Sequence, residues 1–169
     1  MISREACVTL ARYNEWMNRR LYALVATLPD DERRRDRGAF FGSIHATLDH
    51  IVYADLAFLS RFTGDPPDAP PLGVVLHPDF ESLRAVRERL DARLLDWCAA
   101  LEADWLAGDL GYTSKVDGVH RVKPRWLLVL HLFNHQTHHR GQVTTLLSQM
   151  GADVGSTDLP FMPEPARDR

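Results

Sequence analysis

His131-Leu132-Phe133-Asn134-His135-Gln136-Thr137-His138-His139-Arg140-Gly141-Gln142 gathers four of the chain's eight histidines into nine residues. It lies inside a stretch, Pro124 to Met150, whose spacing predicts one long helix. At about 100° per residue, His135 and His139 stand about 40° apart, one turn above the other, which is the spacing two imidazoles need to share an ion. Leu128, Leu132, Val143, Leu146 and Met150 fall within about 20° to 80° of His135, so the expected buried stripe runs through the pair. His131 and His138 lie about 40° and 60° to the other side, on the rim. A lone buried histidine is usually a hydrogen-bonded packing residue, whereas an i,i+4 pair on a buried stripe points to a metal.

Upstream, Leu110-Gly111-Tyr112-Thr113 and Val119-His120-Arg121-Val122 flank Lys115-Val116-Asp117-Gly118, an Asp-Gly turn that predicts a short hairpin. A helix starting near Pro78 or Asp79 uses Phe80, Leu83, Leu90, Leu94, Trp97 and Leu101. Before it, the Pro-rich stretch from Pro66 to Pro78 reads as a connector long enough to run the length of a bundle. A helix over about Ser43 to Phe62 carries Ile44, Leu48, Ile51, Leu59 and Phe62 on one face. The first helix, about Arg4 to Leu28, repeats Leu10, Tyr13, Met17, Leu21, Leu24 and Leu28, and its inner stripe also holds Asn14. The expected fold is therefore all-α, a four-helix bundle with a small β-hairpin between helices three and four. The long connector permits helices two and three to be parallel, giving an up-down-down-up order. The tail from Ala152 is rich in Gly and Pro, with Leu159, Phe161 and Met162 able to lie back on the helices.

With 169 residues and no internal linker, one domain is expected over 1–169. A net charge of −3 gives no footprint for nucleic acid, and Arg33-Arg34-Arg35 and Arg84, Arg87 and Arg89 alternate with acids as a solvated surface would. No apolar run reaches membrane-spanning length and the first five residues lack a signal-peptide pattern, so a soluble, cytoplasmic protein is expected. Cys7 and Cys98 read as packed thiols, and the four tryptophans as core or interface.

Two histidines alone bind metal weakly, and a catalytic site of the zinc type has three protein ligands with a fourth position open. His45, His50, His77 and His120 are the candidates for the third. His50 shares its helix face with Ser43, Thr47, Ala54 and Ala57, all within about 60°, and such small side chains leave room beside an ion. Periodicity does not choose among the four.

Ser43-Ile44-His45-Ala46-Thr47-Leu48-Asp49-His50-Ile51 with Asp55 a turn later, Asn134-His135-Gln136-Thr137-His138-His139-Arg140-Gly141-Gln142, and Tyr13-Asn14-Glu15-Trp16-Met17-Asn18 together resemble the DinB/YfiT-like family of metal-binding four-helix bundles. The likeness spans most of the chain, and the His-x-x-x-His-Arg-Gly-Gln run is its most specific part. It implies a triad of His50, His135 and His139, the up-down-down-up order, and a homodimer. It also implies a class of activity, since relatives include thiol S-transferases and a mycothiol-dependent maleylpyruvate isomerase.

Three neutral imidazoles leave the charge of a divalent ion, zinc or nickel for preference, uncompensated, which favours an anionic fourth ligand such as hydroxide or the thiolate of a low-molecular-weight thiol. Gln136 occupies the place where a His-Glu-x-x-His peptidase carries its base, and it cannot serve as one. Asp55 is expected to be buried and paired, supporting a ligand rather than reacting. Asn14 is read as a helix-to-helix hydrogen bond or a contact to substrate, and His131 as a further rim candidate for substrate or support. Arg140 and Gln142 are expected to fix helix packing or a dimer surface. The sequence names neither the small-molecule substrate nor the catalytic residues. A non-enzymatic metal-binding or stress-response module, or a structural dimer with a vestigial site, fits the same residues.

Overall fold

The computed structural model describes residues 2–65 and 74–164, so most of the Pro66 to Pro78 connector and the last five residues of the tail lie outside the described residues. Four long helices carry the structure: α1 (Arg4–Ala26), α3 (Ile44–Thr63), α4 (Phe80–Ala99) and α6 (Arg125–Gln149). Two five-residue helices, α2 (Asp30–Arg34) and α5 (Ala103–Ala107), and a hairpin of β1 (Asp109–Thr113) and β2 (His120–Pro124) complete the main elements.

Each long helix starts or stops where local chemistry dictates. Ser3, Ser43 and Asp79 cap α1, α3 and α4 by accepting a backbone N–H from the residue three along, and so satisfy a donor the helix cannot. Gly64 ends α3 at φ +80°, a left-handed conformation that a side chain would strain, while its N–H closes on the Ser60 carbonyl. The hairpin is antiparallel, with Gly111 opposite Val122, and the Asp117-Gly118 turn falls where expected.

α1 packs against α4 and α6, and α3 packs against the same two helices, so the four close a ring around one apolar core. Leu21, Ile44, Leu48, Ile51, Leu59, Leu83, Leu94, Leu132 and Leu147 are among its fully buried members. Cys7 and Cys98 are free and buried, and burial pushes both thiols up, Cys7 to about 11. Trp97, Trp105 and Trp126 pack at the core margin, with Trp97 stacked on Phe62 at 5.1 Å.

A polar ladder crosses this core. Arg87 of α4 binds Asp55 of α3 and, at 2.8 Å, Asp91 one turn along its own helix. Asp91 in turn accepts from Asn14 Nδ2 at 2.8 Å and Asn18 Nδ2 at 3.0 Å on α1, and Arg140 of α6 donates to Asn14 Oδ1. All six side chains are at most 4% exposed. Two cations and two carboxylates leave the ladder neutral, which is the condition for burying charge. Burial pushes the Asp55 carboxyl up against the pull of Arg87; burial also works against the charge of Arg87, but Asp91 and Asp55 hold it above the usual arginine range.

The ladder accounts for two departures from expectation. Arg87 is core rather than solvated surface, because Asp55 and Asp91 supply its counter-charges. The stripe of α1 buries Cys7, Ala11, Asn14, Met17, Asn18, Leu21, Tyr22 and Val25, so it keeps the expected Asn14, Met17 and Leu21 but is turned from Leu10, Leu24 and Leu28, which stay partly exposed. The tail also differs: Arg20 donates to the carbonyls of Val154 and Ser156, and Tyr13 to that of Thr157, whereas Leu159 and Phe161 remain exposed. Among the described residues no helix is long and apolar enough to cross a membrane.

Candidate metal centre

α3 and α6 face each other, and their shared surface brings one histidine of α3 to the two of α6. His50 Nε2 lies 3.2 Å from His135 Nε2, and His139 Nε2 lies 3.0 Å from His135 Nε2. Ligand atoms of all three fall within 4.8 Å of one another, and among the described residues this group of three could hold a metal ion. Two nitrogens on a tetrahedral ion with bonds of about 2.0–2.1 Å stand about 3.3 Å apart, so the two separations from His135 fit.

The electrostatics fit too. Metal binding needs neutral imidazole. Burial, with His139 nearby, holds His50 down to about 4. Burial, with His139, His50, His131 and His138 around it, holds His135 down to about 3. His139 is lowered by burial, against a hydrogen bond to Gln142 that raises it. That bond joins His139 Nδ1 to Gln142 Oε1 at 2.8 Å. With Nδ1–H donating to the amide oxygen, the Nε2 lone pair is left for the triad, which is how outer partners orient metal-ligating histidines. Gln142 Nε2 points the other way, to His138 Nε2 at 3.4 Å.

The other histidines are not in the group of three, although the His138 ring lies 4.8 Å from that of His139. His45 Nε2 faces the His77 carbonyl at 2.8 Å, and His77 Nδ1 meets Asp49 at 3.1 Å. His120 is exposed on β2. His131 and His138 are exposed on the rim of α6 as expected, with the His131 ring 5.8 Å from that of His135 and 5.0 Å from Phe58. His139 is buried, but His135 is only half-buried, because the stripe of α6 centres on Gln136 and leaves His135 at the edge of the helix contact. Asn14 and Asp55 serve the ladder: the Asp55 carboxylate goes to Arg87 and the Asn14 amide to Asp91 and Arg140. Arg140 fixes helix packing, as anticipated.

Two parts of the site carry no periodic signal. Phe41, in the turn before α3, stacks on His50 with centroids 3.9 Å apart and approaches His139 at 5.4 Å. Asp49 accepts the backbone N–H groups of Leu76 and His77 at 2.7 and 2.9 Å, pinning the end of the connector beside His50. Between the Phe41 turn and the connector end lies a cleft of about 240 Å³ with His50 in its wall.

The model of the DinB family matches residues 1–169, and the chain belongs to that family. It is 28% identical over 155 residues to Protein DinB of Bacillus subtilis (strain 168), an alignment that covers 88% of each chain.

Proposed function

We propose that this chain is a metal-dependent enzyme in which His50, His135 and His139 hold a divalent ion, zinc or nickel, for thiol-linked S-transfer or isomerisation. The observation that carries the reading is the convergence of three Nε2 atoms, with His139 Nδ1 tied off by Gln142. When bound, an ion on three neutral imidazoles supplies positive charge and an open position that favour a thiolate over a thiol at neutral pH. The chain's own residues do the rest: Gln142 fixes the tautomer of His139, Phe41 covers the His50 ring from solvent, and Asp49 holds the connector against the cleft. We place the triad in a single-domain, up-down-down-up four-helix bundle that works as a cytoplasmic homodimer. The ring of helix contacts supports the bundle, and the length of the connector supports parallel neighbours.

One observation favours a second reading, a non-enzymatic metal-binding module. Asp49 and Asp55, the carboxylates closest in sequence to His50, are already engaged with backbone N–H groups and Arg87, so neither stands ready as a general base. The two readings separate experimentally. Protein purified without an affinity tag should contain about one divalent ion per chain, and with glutathione, mycothiol, bacillithiol or coenzyme A plus electrophiles it should turn over. Stoichiometric metal with no thiol-dependent turnover selects the module; absence of metal removes both.

A further inference from the structure

Among the described residues, every buried or half-buried arginine holds a hydrogen bond or an ion pair except one. The exception is Arg61, half-buried in the last turn of α3. Its guanidinium lies over two ring faces, 4.9 Å from the centroid of Phe58 and 5.0 Å from that of Tyr112 on β1. Burial lowers its pKa, and the groups opposing that are the phenols of Tyr112 and Tyr53 rather than a carboxylate. An aromatic face attracts a cation but accepts none of the five N–H donors in the usual way, so the donors are left for solvent or an anion. Arg61 follows His50 by three turns, about 20° around the helix, so the two share a side of α3. Long helical side chains lean toward the N-terminus, and the guanidinium accordingly sits back over Phe58, on the way to the triad. From Phe58 the next step is the exposed His131, whose ring is 5.0 Å from that of Phe58 and 5.8 Å from that of His135. The route from the triad to Arg61 is therefore a surface track, open to a molecule arriving from solvent. Three turns span about 16 Å, and the backward lean leaves a gap on the order of 10 Å between guanidinium and triad.

We propose that Arg61 is a specificity-determining residue, binding the terminal carboxylate of an elongated thiol whose sulfur end reaches the ion held by His50, His135 and His139. The planar guanidinium matches a carboxylate with two parallel N–H donors, and the rings beneath it hold that fork in place and exclude water from one face. The inference rests on the metal-centre reading for the sulfur end; the carboxylate end stands on Arg61.

Mercaptooctanoate and mercaptooctanol, each with its thiol at the far end, have nearly the same length and differ in terminal charge, so they isolate the carboxylate. Both are titrated into the cobalt-loaded full chain and followed by the sulfur-to-cobalt absorption band. The acid should bind about 3- to 10-fold tighter than the alcohol, the range of a partly exposed charged pair. Arg61→Gln should erase that preference and leave the alcohol's affinity, the cobalt spectrum and the helical circular dichroism unchanged. Arg61→Lys, which keeps the charge without the fork, should retain part of it. An arginine that only packs on Phe58 and Tyr112 would not separate the two probes. Because the ion itself favours anions, mercaptopropionate and mercaptopropanol, too short to reach Arg61, serve as the control: their ratio should be the same with and without Arg61→Gln. Equal binding of the long pair, or a preference that survives Arg61→Gln, overturns the proposal and leaves the metal centre standing. Failure to load cobalt, or a cobalt spectrum that no thiol perturbs, counts against the metal-centre reading and the sulfur end with it. The carboxylate end is then decided on metal-free protein by the NMR resonance of the Arg61 Nε–H: a shift with the acid and not the alcohol upholds it, and no shift overturns it.

Discussion

Gln142 holds His139 from behind, and the strength of that hold is measurable. Removing the partner that orients a metal-ligating histidine typically costs about 10- to 100-fold in affinity. Gln142→Leu should weaken divalent-metal binding by that range in chelator competition while leaving the helical circular dichroism intact; an unchanged affinity would mean the amide is only a surface contact. Ala at His50, His135 or His139 should abolish stoichiometric binding, and His131→Ala should spare most of it. Loss of metal in His131→Ala but not in His50→Ala would show that the triad is misassigned. The i,i+4 pair was legible in the sequence because helical spacing alone stacks two imidazoles. His50 was not, since four histidines were candidates for the third ligand and a face of small residues does not by itself make His50 one, so the choice came from the family resemblance. Gln142 and Phe41 were legible only as packing residues, or not at all, because an amide-to-imidazole bond depends on rotamers and a turn before a helix has no period.

At the scale of elements, the four long helices and the hairpin were readable because each spans enough turns, or a sharp enough turn signal, to leave a pattern. The five-residue helices α2 and α5 span little more than one turn and leave none. The rotation of α1 was obscured for a different reason: Asn18 sits on its buried line beside Asn14 and looks polar until Asp91 is known to face it. Arg87 was misread by the same logic. Removing one partner of a buried pair leaves an uncompensated charge and costs about 3–5 kcal/mol. Arg87→Met strands Asp55 and Asp91 together, so urea unfolding should show a loss in that range. A loss under about 1 kcal/mol would mean that the carboxylates are hydrated or protonated in the folded chain.

For the whole molecule, the apolar core is continuous without the metal centre, so chelated protein should retain its helical circular dichroism at 25 °C. Cooperative loss of helicity on chelation would make the ion structural. The metal-free protein should nevertheless respond to acid. The unfolded chain protonates histidine near 6.5, whereas folded His50 waits until about 4 and His135 until about 3. Between those values the unfolded state binds more protons, so the contribution of these groups is full above about pH 6.5 and is lost as pH falls toward 4. Thermal scans from pH 8 to pH 4.5 should show Tm dropping below pH 6.5, and the drop should be shallower in His135→Ala. A Tm flat across that interval would mean the imidazoles titrate normally in the folded state.

The ladder of Asn14, Asn18, Asp55, Arg87, Asp91 and Arg140 also constrains how such a sequence can drift. Its members come from all four long helices and neutralise one another, so their mutational effects are not additive: a change tolerated alone at a surface site is penalised here until its partners change with it. Replacing the whole set by well-packed apolar side chains is close to neutral in principle, yet no sequence of single steps reaches that endpoint without passing through a chain that buries an unmatched charge. The six positions are thus linked in inheritance although they are scattered over 127 places in the chain, from 14 to 140.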